Sequence, residues 1–276
     1  MRQPLPTPRV AHLFVPMRAE PLRVLGGLDD ASWNLPTACA EWSVRDVALH
    51  LLGDDVGLLS NLRDHDGQYG AIQDFTDLVA YINARNATWV EATRRISRRL
   101  LLSLLALTGE MWADYAQSVD PDAPGGPIGW TGNAHDPMGL HLARELTEFW
   151  MHHQHICEAV GVVSLKDETY LHAVLGTFVH CLPRTYAEAA TPVDTLVKIV
   201  ITGEGGGAWH LIREEDRWRL YADSDLVPAA TVRLSSDSAW RFFTKGLTPA
   251  DIRAPIAIEG DQMLGQVFWR ALAILA

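Results

Sequence analysis

The sequence is poor in cysteine. Three residues, Cys39, Cys157 and Cys181, are scattered through 276 positions, odd in number, with no CxxC pair and no disulfide framework. Nor is there an apolar run of the roughly 18 residues that a bilayer-spanning helix needs. Positive charge is scarce, since 23 Lys and Arg against 34 Asp and Glu leave a formal net charge of −11. That balance argues against a nucleic-acid groove or an anionic membrane surface as partner. The opening stretch MRQPLPTPRVAHLFVP is broken by prolines and lacks the apolar core of a signal peptide, so a cytoplasmic location is expected. Cys157 reads as packing, and Cys39, in a loop next to Trp42, as inert. A thiol that does chemistry here would then be brought in as a cosubstrate.

What the chain does have is an ordinary globular composition, 48% apolar and 21% charged, and enough length for one large or two ordinary domains. Its densest chemistry lies in residues 143–161, ARELTEFWMHHQHICEAVG. Side chains three, four and seven positions apart share a helical face. Glu145, Glu148, His152 and His155 follow that spacing, while Phe149, Trp150, Met151, Ile156 and Val160 supply apolar surface on other sides. A polar stripe on such a helix makes sense if it points into a bundle and holds a metal. Glu148 and His152, one turn apart, can reach one divalent ion, and a catalytic zinc has three protein ligands and an open position. By spacing alone, the same two residues also make an ordinary ion pair worth a few tenths of a kcal/mol.

A third ligand must come from another helix. The best candidate is His50, in Trp42-Ser43-Val44-Arg45-Asp46-Val47-Ala48-Leu49-His50. Ser43 there reads as an N-cap with Asp46 at the capping-box position. Asp54, one turn beyond His50, is a further ligand or an outer partner of one. A lone helical histidine is also commonly a surface or core residue, so spacing leaves His50 open. His153 and His155 are not read as ligands; one of them instead orients a ligand or meets a substrate.

The two segments resemble the paired motifs of the mycothiol-dependent maleylpyruvate isomerase family, within the DinB-like four-helix metal-binding superfamily. The first, Trp-Ser-Val-x-Asp-Val followed by His, Leu and Gly, runs here from Trp42 to Gly53; the second, Glu-x-x-x-His and then Ala-x-Gly, from Glu148 to Gly161. The resemblance implies His50, Glu148 and His152 as the metal ligands. It also implies a divalent ion, zinc by expectation, and mycothiol or another small thiol as cosubstrate. His155 stands where many relatives have Asp or Gln, and with Asn86 is a candidate for the cofactor-binding side. The reaction so implied is isomerisation of, or S-transfer to, a small electrophile. Arg241 and Arg233 are the candidates for clamping a carboxylate substrate, because a guanidinium is bidentate and always charged.

Taken in order, the chain reads as helices followed by a mixed half. Residues 11–28 are helix-like but interrupted at Pro21, so the bundle helix is expected to begin after Pro16. A loop over 29–41 precedes the His50 helix at 44–63, a polar connection at 64–74, and helices from 75 to 94 and from 97 to 115 with Ser97 as cap. The arginines at 94, 95, 98 and 99 read as a solvated junction. The Pro/Gly-rich loop at 120–133, with Trp130, suits a lid or wall over the site. After a helix at 166–189, residues 196–201 alternate like a strand, 203–207 form a glycine turn, and 208–212 with 217–221 a hairpin. A strand at 231–234, a short helix at 237–244, a strand at 256–259 and a C-terminal helix with Leu264, Val267, Phe268, Leu272 and Ile274 complete an α+β pattern.

The fold class expected is therefore α plus α+β. The resemblance makes residues 1–164 a DinB-like metal-binding bundle and residues 165–276 a small sterol-carrier-like domain. A second reading is a small-molecule or lipid-binding protein with a metal-stabilised bundle, its cavity lined by Trp240, Phe242, Phe243, Phe268 and Trp269. Oligomerisation with further copies of the chain is left open.

Overall fold

The computed structural model describes residues 2–67, 75–245 and 256–273. It mixes helices with a six-stranded sheet, an α plus α+β fold. Two compact units emerge, Val10–Val119 with Glu145–Leu165, and Met1–Arg9 with Asp120–Arg144 and Lys166–Ala276. The division is thus not a single cut in the sequence.

In the first unit, α1 spans Phe14–Gly26 after a 3-10 turn at Ala11–Leu13. The expected interruption at Pro21 does not occur. Pro21 sits inside the helix and is buried with Met17, Val24 and Leu25, so packing offsets the lost backbone bond. Pro16 falls in the first turn, where its missing N–H costs little. Helix α2, Val44–Leu58, runs on through a π-helical turn at Leu59–Arg63. Its start is the capping box seen in the sequence: the Ser43 hydroxyl accepts from the Asp46 N–H, and the Asp46 carboxylate accepts from the Ser43 N–H at 3.1 Å. Arg94 then pairs with the same carboxylate at 2.9 Å, tying the end of α3, Phe75–Thr93, to the start of α2. Of the expected connection at 64–74, residues 68–74 lie outside the described residues.

Helix α4, Arg98–Ser118, is capped by Ser97, and α5, Met138–Val160, is closed by Gly161 at φ +71°. The core between α1, α2, α4 and α5 is largely apolar, with a buried ion pair at one point. There the buried Arg18 guanidinium meets the Asp55 carboxylate at 2.7 and 3.0 Å, and the Thr108 hydroxyl donates to Asp55 at 2.6 Å. Phe14 stacks on Trp112 beside them. The basic junction is largely paired, Arg94 also with Glu91 and Arg98 with Asp30.

The second unit is built on a sheet ordered β1-β4-β3-β2-β5-β6. Its strands are Gln3–Pro4 (β1), Leu196–Thr202 (β2), Gly207–Arg213 (β3), Trp218–Asp223 (β4), Ala230–Ser235 (β5) and Ala257–Gly260 (β6). β2 and β5 run parallel and the other pairs antiparallel. The edge strand β1 was not expected from the sequence, because two residues ending in proline carry no alternation to read. The helices of this unit are α6 (Glu168–Phe178), α7 (Leu182–Thr185), α8 (Ser236–Lys245) and α9 (Gln262–Gln266).

The glycine turn joins β2 to β3, with Gly203 and Gly205 at positive φ; a Cβ on Gly205 would lie 2.4 Å from that of Leu171. The Glu204 carboxylate in this turn accepts from the Glu168 N–H, completing the start of α6. The expected C-terminal helix is shorter than its apolar pattern suggested. α9 passes into a 3-10 turn at Val267–Arg270, and Ile274 lies outside the described residues.

Candidate metal centre

Helices α2 and α5 bring the sequence-derived ligands together. His50 stands on the second turn of α2, fixed by the Ser43–Asp46 cap, and its ring faces Trp42 at 4.9 Å between centroids. Glu148 and His152 lie one turn apart on α5, where Trp150 on another face donates its indole N–H to the Leu165 carbonyl and sets the rotation of the helix. The Nε2 atoms of His50 and His152 approach to 3.1 Å, and His152 Nε2 lies 3.1 Å from Glu148 Oε1. Asp54 Oδ2 reaches His50 Nε2 at the same 3.1 Å. Both histidines are 3% exposed, so water cannot supply the missing partners freely.

Hydrogen bonding alone fits this cluster poorly. Two imidazole nitrogens point at each other while two carboxylate oxygens, which donate nothing when ionised, crowd the same point. A cation resolves the conflict. Ligands at about 2.0–2.1 Å from a tetrahedral zinc are separated from each other by about 3.3 Å, close to the spacing observed. His50, Glu148 and His152 therefore offer a donor set that fits a divalent ion.

The two rings are shifted in opposite directions. Burial, then the neighbouring charge of His152, lowers His50 to about 3, leaving the neutral ring a metal requires. Burial also opposes charge on His152, but hydrogen bonds to Cys39 and Glu148 outweigh it and raise that ring to about 10. Burial and the charges of Glu148, Glu145 and Asp55 push the Asp54 carboxyl well above the ordinary range. Such a crowd of carboxylates is relieved by a cation.

The other candidates divide. His153 turns away from the cluster, bonded to the Ser164 hydroxyl at 2.9 Å and held near pKa 4 by burial, a core role. His155 shares the ligand face and is buried, its Nδ1 3.0 Å from Cys39 Sγ. Cys39, expected from the sequence to be an inert loop residue, thus lies against two histidines of this face. A tight hairpin closed by a Pro36–Ser43 bridge, with Glu41 at φ +68°, carries the sulfur to His155 and to within 3.7 Å of His152 Nδ1. Nothing in local spacing links residue 39 to α5.

Asn86 is half-buried on α3. In the second unit, Arg233 on β5 pairs with Glu259 at 2.9 Å, and Arg241 on α8 bonds Asp237 at 3.2 Å and lies over Trp240. The loop before α5 is bound to itself, with the buried Asp136 carboxylate accepting from Ile128 N, Thr131 Oγ1 and Asn133 Nδ2.

With this geometry in hand, comparison with known proteins is decisive on one point. The sequence profile of the mycothiol maleylpyruvate isomerase N-terminal domain matches residues 15–157, just over half of the chain. The chain belongs to the mycothiol maleylpyruvate isomerase family. The matched stretch contains His50, Glu148 and His152 and ends before β2.

Two crystal structures of the mycothiol-dependent maleylpyruvate isomerase, one of them a histidine-to-alanine mutant, are similar over 86% of this chain and 88% of theirs. Each has a TM-score of 0.50 and 13% sequence identity, which establishes likeness of fold and nothing finer. No curated protein sequence matches the chain.

Proposed function

We propose that this chain is a metal-dependent enzyme that uses a low-molecular-weight thiol, mycothiol by family, to isomerise a small electrophilic substrate or to transfer sulfur to it. The observation that carries the reading is the convergence of His50 Nε2 and Glu148 Oε1 on His152 Nε2, each at 3.1 Å, in a member of this family. A divalent ion there, zinc by its donor set, favours thiolate over thiol and so supplies a nucleophile at neutral pH.

The chain's own residues do the rest. His50 and, once its proton is displaced, His152 would present neutral nitrogens to the ion, Glu148 would offset the cation's charge, and Trp42 covers the His50 ring. In the isomerase reaction, thiolate adds to an activated cis double bond, the resulting single bond rotates, and elimination of the thiolate leaves the trans isomer. Retention of the adduct gives S-transfer instead. Asn86 and His155 are proposed on the thiol-binding side, and Arg241 or Arg233 as a carboxylate clamp. A sterol-carrier-like domain at residues 165–276, a DinB-like bundle at residues 1–164 and a cytoplasmic location belong to the same proposal.

The alternative of a lipid-binding second unit finds less support. Phe242 stacks on Phe268 at 5.1 Å and Phe243 packs between Phe268 and Phe178, so these rings fill a core. A cavity of about 310 Å³ in that unit is lined instead by residues such as Thr7, His135, His180, Arg217 and Arg219.

The test is turnover of cis α,β-unsaturated acids by metal-loaded protein with and without added thiol. Thiol-dependent cis–trans conversion in the wild type, lost in His50→Ala and Glu148→Ala, is expected. Metal-loaded wild type that neither isomerises nor forms a thioether across a panel of such acids and thiols overturns the proposal.

A further inference from the structure

His152 faces two ways. Its Nε2 meets His50 and Glu148, while its Nδ1 lies 3.7 Å from Cys39 Sγ. On that second side His155 Nδ1 approaches the same sulfur at 3.0 Å, and the His152 and His155 rings stand edge to face at 5.3 Å. Cys39 Sγ, His152 and His155 thus form a second group of three donors, distinct from His50, Glu148 and His152 but sharing one ring.

The geometry has the scale of a metal site. A tetrahedral zinc with Zn–S of about 2.3 Å and Zn–N of about 2.0–2.1 Å holds sulfur and nitrogen ligands about 3.6 Å apart. The two observed sulfur–nitrogen distances lie on either side of that value. The sulfur is also delivered by a built loop. The Thr37 hydroxyl accepts from the Cys39 N–H at 3.1 Å and donates to the Trp42 carbonyl at 2.9 Å, and the Trp42 N–H donates to the Cys39 carbonyl at 3.1 Å. His155 is 1% exposed and held by α5, whereas Cys39 is half-buried, which leaves a way in for an ion. One thiolate and two imidazoles form a softer set than the His50 group, suited to zinc or another thiophilic divalent ion.

We infer that Cys39, His152 and His155 form a second metal position, coupled to the first through the His152 ring. The inference rests on the proposed first site only for the role of His152 Nε2. With both positions filled, His152 bridges as an imidazolate, Nε2 to one ion and Nδ1 to the other. Filling the second position releases two protons to solvent, one from the Cys39 thiol and one from the His152 ring. The competing arrangement is metal-free: His152 Nδ1–H donates to Cys39, whose S–H donates to His155, and the cysteine merely orients a ligand of the first ion.

Metal stoichiometry and cobalt spectra separate the two. Full-length wild type, His50→Ala, Glu148→Ala, Cys39→Ser and His155→Ala are loaded with zinc for elemental analysis and with cobalt(II) for absorption spectra. Circular dichroism checks that each variant is folded. Two ions per wild-type chain and a near-ultraviolet thiolate-to-cobalt charge-transfer band are expected. Cys39→Ser and His155→Ala should fall to one ion, Cys39→Ser losing the band. His50→Ala and Glu148→Ala should also fall to one ion while keeping it.

One ion per chain, no thiolate band, and no effect of Cys39→Ser overturns the second site and leaves the first standing. One ion that depends on Cys39 and His155 and not on His50 or Glu148 overturns the first site and leaves the second. An empty wild type overturns both. A thiol-alkylating reagent gives an independent readout, since zinc should slow modification of Cys39 at least tenfold in wild type and His50→Ala, and equal rates with and without metal contradict the site.

Discussion

Replacing Arg18 by Met tests a buried charged pair in the core of the helical unit. Arg18 and Asp55 are bidentate at 2.7 and 3.0 Å, with side chains 8% and 2% exposed, and the guanidinium carbon lies 3.7 Å from the Phe149 ring centre. Methionine keeps much of the stem's volume but removes the cation that faces the Asp55 carboxylate, leaving it the Thr108 hydroxyl at 2.6 Å. Breaking one side of such a pair costs about 3–5 kcal/mol, and the lost ring contact adds about 1 kcal/mol. For a unit of this size that is a fall in Tm of roughly 10–20 °C.

The pH dependence has a definite sign. Burial already raises the Asp55 pKa above its unfolded value, against the pull of Arg18. An acid with a raised folded pKa loses stability as pH climbs from the unfolded pKa through the folded one, and removing Arg18 widens that interval. The deficit of Arg18→Met should therefore be larger at pH 7 than at pH 5. Calorimetry at both pH values checks this, with Arg18→Met/Asp55→Leu as the partner variant, expected to regain most of the loss because no charge is left buried. A loss below about 1 kcal/mol at pH 7, or a double variant no better than the single, would refute the reasoning.

Four further outcomes follow from the structure. With His152 raised to about 10 and His50 lowered to about 3, the metal-free centre carries one imidazolium at pH 7. Its stabilising effect is full below the unfolded pKa of about 6.5 and fades as pH rises through about 10, so metal-free protein should lose stability over that window. Binding the first ion at pH 7 should release about one proton, seen by calorimetry in buffers of different ionisation enthalpy; release of none would contradict the assignment. Gly53→Ala puts a Cβ 2.6 Å from the Trp89 indole, whose N–H donates to Leu49 O, and should cost about 1–3 kcal/mol with a shifted tryptophan emission. Asp136→Ala removes the acceptor of three bonds at 2.8 Å and should cost about 3 kcal/mol and open residues 120–137 to limited proteolysis; unchanged cleavage would show the loop is held otherwise.

The elements that sequence displays well here are those whose causes are local. The α2 start was legible because Ser43 and Asp46 cap each other three residues apart, and the ligand face of α5 because Glu148 and His152 are one turn apart. The β2–β3–β4 meander was legible from alternation and its two turns. What escaped is non-local. β1 owes its existence to Gln3 and Pro4 meeting Asp223 and Tyr221, and α1 runs through Pro21 because the buried face around it outweighs one lost bond. Cys39 reaches His152 and His155 across 113 and 116 residues, which no periodicity encodes.

The candidate metal centre shows where that boundary falls within a single side chain. Spacing identifies His152 as a donor and cannot say which nitrogen points where. In the fold, Nε2 serves the His50 and Glu148 side while Nδ1 faces Cys39 and His155. One ring standing between two donor sets makes His152 the least informative residue to remove, because its loss empties both and also deletes the group whose proton is displaced. His50 and Cys39 each touch the ring from one side only. Variants at those two positions, and not at His152, are the ones that separate a thiol-activating ion on the first side from a thiolate-bound ion on the second.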